Sequence, residues 1–150
     1  MVASESSVLY RRSSPDVAPA AILYDPDCGF CRVSLAALLS WDRHGTLRPV
    51  ALGSEEADSL LAGMPEEERM ASWHLVEPGS VHSAGAAFEP AFARLPGARP
   101  LARLCARFPG VCERGYRLVA DHRSLFGRLL PTAARRWADR MISSSRPDGR

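Results

Sequence analysis

The chain has 150 residues, 46% of them apolar and 24% charged, the size and balance of one globular domain around one hydrophobic core. Nineteen basic residues, all Arg, against seventeen acidic ones leave a net charge of +2, which lacks the dense basic footprint of a dedicated nucleic-acid binder. No apolar run approaches the roughly 18 residues that span a bilayer, and the N-terminal stretch has no apolar core of a secretory signal, so neither nucleic acid nor membrane is expected as a partner and the expected location is cytoplasmic.

Residues 1–19 mix Ser, Arg, Pro and Asp and read as a flexible leader, and residues 143–150 as a flexible tail, around a domain spanning 20–142. Ala20-Ala21-Ile22-Leu23-Tyr24 is a short apolar run stopped by Asp25-Pro26-Asp27, which predicts a buried strand followed by a turn. From Phe30 the apolar residues Val33, Leu35, Leu38, Leu39 and Trp41 recur mainly at spacings of three and four, predicting an amphipathic helix that ends near His44-Gly45. Leu47 to Leu52 reads as a second strand, and Pro49, which has no N–H to donate, puts it at an edge or strand end. Ser54 followed by Glu55 and Glu56 is a helix start, with a hydroxyl cap and early acids complementing the exposed amides.

Pro65 to Met70 adds a further helical turn, and Trp73 to Val76 with Ser80 to His82 form a hairpin around Glu77-Pro78-Gly79. Ser83 to Phe88 opens another helix that Pro90 restarts. From Pro100 the pattern is helical, with breaks expected at Phe108-Pro109-Gly110, near Gly127 and at Pro131. The order is β-α-β-α-β-β-α with a helical C-terminal extension, an α/β class with a parallel start and an antiparallel finish to its mixed sheet.

Four cysteines are too few for a disulfide-built scaffold, so their spacing carries the information. Cys28 and Cys31 form a C-x-x-C pair where the first strand turns into the first helix. That placement brings the two Cα atoms to roughly 5–6 Å, within disulfide range. The helix N-terminus favours a thiolate at Cys28, making it the attacking sulfur and Cys31, one turn inward, the resolving one. Gly29 allows close backbone approach of a substrate, and Phe30 presents an apolar face beside the sulfur. Asp25 is a candidate relay for the Cys31 proton, and equally an Asx-turn residue; Asp27 reads as a turn residue and Arg32 as a solvated helix position.

A zinc site on the same pair would need a second pair of ligands, and His44, His74, His82 and His122 are scattered. No metal or organic cofactor is expected beyond the cysteines. Cys105 and Cys112 read either as small buried residues or as a second redox pair exchanging with Cys28 and Cys31. Trp41, Trp73 and Trp137 fit core or interface packing.

The segment Tyr24 to Cys31 resembles the signature of the DCC family of predicted thiol-disulfide oxidoreductases, D-x-x-C-x-x-C after a strand, with Asp25, Cys28 and Cys31 in the matching places. The likeness runs through Leu47–Leu52, Trp73–Val76, Gly85-Ala86 and Tyr116–Ala120 with Arg123. The resemblance implies a thioredoxin-like fold and thiol-disulfide exchange. Two departures stand out. Pro26 replaces a frequent Gly and stiffens the approach to Cys28, and Ser72 stands where thioredoxin-like enzymes carry the cis-proline that clamps a substrate.

These readings lead to exchange through the Cys28–Cys31 dithiol with a disulfide-containing protein or a small-molecule thiol or disulfide, supplied by an unidentified electron donor. The alternative is a thioredoxin-like, non-catalytic accessory module whose Arg-rich tail (Arg103, Arg107, Arg114, Arg117, Arg123, Arg128) docks on a dedicated partner protein.

Overall fold

A computed structural model of the chain describes residues 18–146. The expected leader lies outside them except for Ala18 and Pro19, and the expected tail except for residues 143–146.

Strand β1 (Ala20–Tyr24) is buried along its whole length and pairs on both sides. β2 (Leu47–Ala51) runs parallel to it; β3 (His74–Glu77) runs antiparallel and continues by a hairpin into β4 (Ser80–Ser83). The order β2-β1-β3-β4 gives the mixed, thioredoxin-like sheet expected from the sequence. It also puts Pro49, opposite Ile22, on an edge strand, where a residue with no N–H costs least.

β1 is apolar throughout because both faces of the sheet are covered. Ala20, Ile22 and Tyr24 pack with Leu35 and Leu39 of α1 (Gly29–Trp41), Ala91 of α4 (Phe88–Arg94) and Ile142 of α8 (Thr132–Ser144). The alternate residues Ala21 and Leu23 face the other layer, with Val50, Leu52, Leu61 and Ala57 of α2 (Glu55–Leu60). Full burial of each large aliphatic side chain contributes about 1.5–3 kcal/mol, so this five-residue strand anchors both layers.

Helix starts follow the sequence closely. The Ser54 hydroxyl accepts the Ala57 N–H at the head of α2, α3 (Glu66–Ala71) follows Pro65, and a 3-10 turn (Ala84–Ala87) leads into α4 with Pro90 in its first turn. Two boundaries are corrected. α1 stops at Trp41, short of His44, because the Asp42 carboxylate accepts the Leu47 N–H at 2.7 Å and the Thr46 hydroxyl at 3.0 Å, turning the chain into β2. Gly127 does not break the helical extension: it lies within α7 (Arg123–Leu129), and the joint is at His122. A Cβ placed on Gly127 would meet the Phe30 N at 3.8 Å, an ordinary contact, so it is the packing of α7 beside α1 that overrides glycine's low helix propensity.

The remaining extension is α5 (Arg99–Arg107), α6 (Pro109–Asp121) and α8, with the expected breaks at Phe108 and Pro131. α8 lies along α1, burying Ala138 and Ile142 and pairing Asp139 with Arg32, and it continues through Ser143 and Ser144 beyond the expected domain boundary. Arg32 is thus engaged by α8 rather than simply solvated.

Candidate functional site: the dithiol turn and its cavity

The turn after β1 is built by local backbone bonding. The Asp25 carboxylate accepts the Asp27 N–H at 2.9 Å, the Asx-turn geometry, and the Asp25 carbonyl accepts the Cys28 N–H at 3.4 Å. Cys28 then serves as the N-cap of α1, an extended residue whose sulfur accepts the Cys31 N–H at 3.2 Å. Cys28 and Cys31 are disulfide-bonded, with Cα atoms 5.2 Å apart, inside the range expected from their spacing.

The same capping geometry gives the two sulfurs different surroundings: the Cys28 sulfur accepts an N–H at the head of α1, and Cys31 lies within the first turn of the helix. An N–H donor and the positive end of a helix both favour a thiolate at Cys28. Arg135 of α8 lies beside the turn: a Cβ placed on Gly29 would lie 3.7 Å from its Nε, and its guanidinium donates to the Gly127 carbonyl. The sequence pattern had no means of finding Arg135, since only the α1–α8 packing brings it there.

Cys31 faces a cavity of about 520 Å³ that opens between the sheet and the helical extension. Its wall is mostly aromatic and apolar: Phe30 and Leu38 from α1, Trp73 from the segment before β3, Phe88 and Phe92 from α4, and Tyr116 from α6. Phe88 packs on Trp73, Phe92 and Tyr116 at centroid distances of 5.2, 5.8 and 6.2 Å, which fixes this wall as one unit. Phe30 is braced on its other side by Phe126 of α7 at 5.5 Å.

Of the residues singled out in the sequence, Asp25, Phe30 and Cys31 share the cavity wall; Cys28, Gly29 and Pro26 sit in the turn beside it and do not line it. Trp73, expected from the sequence to pack in the core or at an interface, lines the cavity as well. Cys105 and Cys112 also line it, remote as they are in sequence from the first pair. Burial and the neighbouring Cys112 thiol push Cys105 up to about 12.

Ser72, which stands where thioredoxin-like enzymes carry the clamping cis-proline, lines the cavity with Trp73, and no cis peptide occurs among the described residues. The main chain of Trp73 is already engaged: its N–H donates to the Tyr116 hydroxyl at 3.4 Å and its carbonyl accepts the Ala84 N–H at 3.1 Å. Burial raises the Tyr116 phenol above its ordinary value, so it stays protonated. Among the described residues no three His, Cys, Asp or Glu side chains gather as a metal site, and no helix is long and apolar enough to cross a membrane.

A family model described as DCC1-like thiol-disulfide oxidoreductase matches residues 22–129, from β1 through the dithiol turn to the end of α7. No curated protein and no solved structure matches the chain. The match covers all of the sheet but Ala20 and Ala21, the C-x-x-C pair and the residues lining the cavity, and it carries the thiol-disulfide redox role that the bonded pair supports: the chain belongs to the DCC1-like thiol-disulfide oxidoreductase family.

Proposed function

We propose that the chain exchanges disulfides with a partner seated in the aromatic cavity. The observation that carries this reading is the position of the bonded pair, at the head of α1 with Cys31 in the cavity wall. In the reductive direction the Cys28 thiolate attacks a substrate disulfide, forming a Cys28–substrate bond while the first substrate thiolate leaves and takes a proton. Cys31 then attacks the Cys28 sulfur, restoring the Cys28–Cys31 disulfide and releasing the second substrate thiol. Asp25, on the same wall as Cys31, accepts the Cys31 proton in this step. A thiol donor returns the two electrons, and the opposite direction uses the same groups.

The engaged main chain of Trp73 favours a small-molecule disulfide over an extended peptide, because neither backbone group is free to pair with a strand. Pro26 and Gly29 shape the approach to Cys28 from the turn, and Phe30 supplies the apolar contact.

The test is the reduction potential of the pair. Purified protein is equilibrated in glutathione or dithiothreitol buffers, and free thiols are trapped for mass spectrometry. A single two-electron transition assigned to Cys28 and Cys31 is expected, with Cys28→Ser abolishing exchange and Cys31→Ser accumulating a mixed disulfide on Cys28. If the pair stays in one state across the series, the exchange mechanism fails.

The accessory-module reading draws on one observation: α6 and α7 bury no residue fully and leave Val111, Leu118 and Leu129 about two-thirds exposed or more, at 66%, 65% and 73%. Under that reading, function in the cell survives Cys28→Ser.

A further inference from the structure

The geometry points to a second dithiol in the same cavity: we propose that Cys105 and Cys112 form a reversible disulfide across the α5–α6 elbow, oxidised by a low-molecular-weight disulfide that enters the cavity. Cys105 lies in the last turn of α5 and Cys112 in the first turn of α6, and Phe108 alone separates the two helices. Both thiols are free and both line the cavity that Cys31 lines. A small disulfide held there for exchange with the first pair is therefore within reach of the second. This substrate class rests on the function proposed above; the chemistry of the second pair does not.

Exposure assigns the roles. Cys112 is half-buried and accessible, whereas Cys105 is 9% exposed. The Cys112 thiolate attacks one sulfur of the bound disulfide, making a Cys112–substrate bond as the other substrate thiolate departs and takes up a proton. Cys105 then attacks the Cys112 sulfur, the Cys105–Cys112 bond forms, and the second substrate thiolate leaves. With Cys105 held protonated up to about 12 by burial and by its neighbour, this departing thiolate is the acceptor for the Cys105 proton. Two protein thiols are oxidised and one disulfide is reduced to two thiols, so atoms and electrons balance.

A bond between α5 and α6 also has a structural result. α6 carries Tyr116, which holds Trp73, and Glu113, which accepts the Gly85 N–H at 2.9 Å. Oxidation of the second pair therefore ties α5 to the helix that forms the far wall of the cavity.

The experiment uses the full chain carrying Cys28→Ser and Cys31→Ser, with circular dichroism confirming its fold. It is reduced, equilibrated against glutathione and glutathione disulfide in increasing ratio, alkylated and mapped by mass spectrometry. The expected result is one cooperative transition that yields a Cys105–Cys112 linked peptide, with Cys105→Ser added to the variant stopping it at a Cys112–glutathione adduct. Two thiols that stay alkylatable, or that each end as a separate glutathione adduct, overturn the proposal. The unmutated chain is titrated in parallel and keeps the test decisive if the variant fails to fold. There, loss of all four thiols as two intramolecular bonds is expected, and a halt at two overturns the proposal. A Cys105→Ala, Cys112→Ala chain reads the other question: failure of Cys28 and Cys31 to cycle in it removes the function proposed above and leaves the second pair standing.

Discussion

His74 shows what burial does to one titratable residue. It is 1% exposed, at the start of β3, with Nε2 2.9 Å from the Arg69 carbonyl and Nδ1 2.7 Å from the Ser83 hydroxyl. A carbonyl only accepts, so Nε2 carries the proton and Nδ1 accepts from Ser83: the neutral ring satisfies both bonds. Burial outweighs the Arg69 bond and lowers the pKa from its ordinary 6.5. Below 6.5 the unfolded chain therefore takes up a proton that the folded chain resists. The His74 contribution is constant above that pH and is lost progressively as pH falls towards the folded value. Thermal unfolding followed across this range should show Tm falling on acidification. His74→Gln keeps one donor and one acceptor and should remove that component; an identical pH profile in the variant would show that His74 is not its source.

At the scale of elements, the seating of α6 against the 3-10 turn depends on one glycine. A Cβ at Gly85 would lie 2.5 Å from the Cα and 2.6 Å from the N of Glu113, contacts with backbone that cannot rotate away. Gly85 also donates its N–H to Glu113, whose carboxyl is held below its ordinary value first by the Arg117 hydrogen bond. Gly85→Ala must push α6 outward, at a cost of about 1–3 kcal/mol typical of overpacking. Chemical denaturation measures the loss, and a weaker apolar-dye signal from the cavity should accompany it. A variant as stable as the parent would show that α6 shifts freely. Gly85-Ala86 was legible in the sequence only as part of a family likeness; the reason for the glycine is a contact 28 residues away.

At the scale of the whole molecule, the helical extension is joined to the sheet domain along three seams, α8 on α1, α5 on α4 and α6 on the 3-10 turn. Ile142 belongs to the same buried cluster as Ile22, Leu35 and Leu39, so the C-terminal helix completes the core rather than trailing from it. Ile142→Ala should therefore cost about 2–5 kcal/mol, as large-to-small core substitutions do, in one cooperative transition. An early, separate loss of helix signal on heating would mean that α8 unfolds independently of the sheet. Because α8 also brings Arg135 over Gly29, loosening it should slow alkylation of Cys28 at neutral pH as well.

The sequence by itself determined what neighbouring residues can decide. The all-apolar run Ala20–Tyr24 predicts a buried strand, Pro49 an edge or strand-end position, Ser54 a helix cap, and the C-x-x-C spacing at a helix head brings two sulfurs within bonding range. These are properties of backbone geometry and local hydrogen bonding, and they act over a few residues. The tertiary structure decided which distant residues meet. It set the joint at His122 rather than Gly127, engaged Arg32 with Asp139, and occupied the Trp73 main chain with Tyr116 and Ala84. It also brought Cys105 and Cys112 into the cavity that Cys31 lines. No spacing rule encodes such meetings, because they depend on how amphipathic helices share one buried surface.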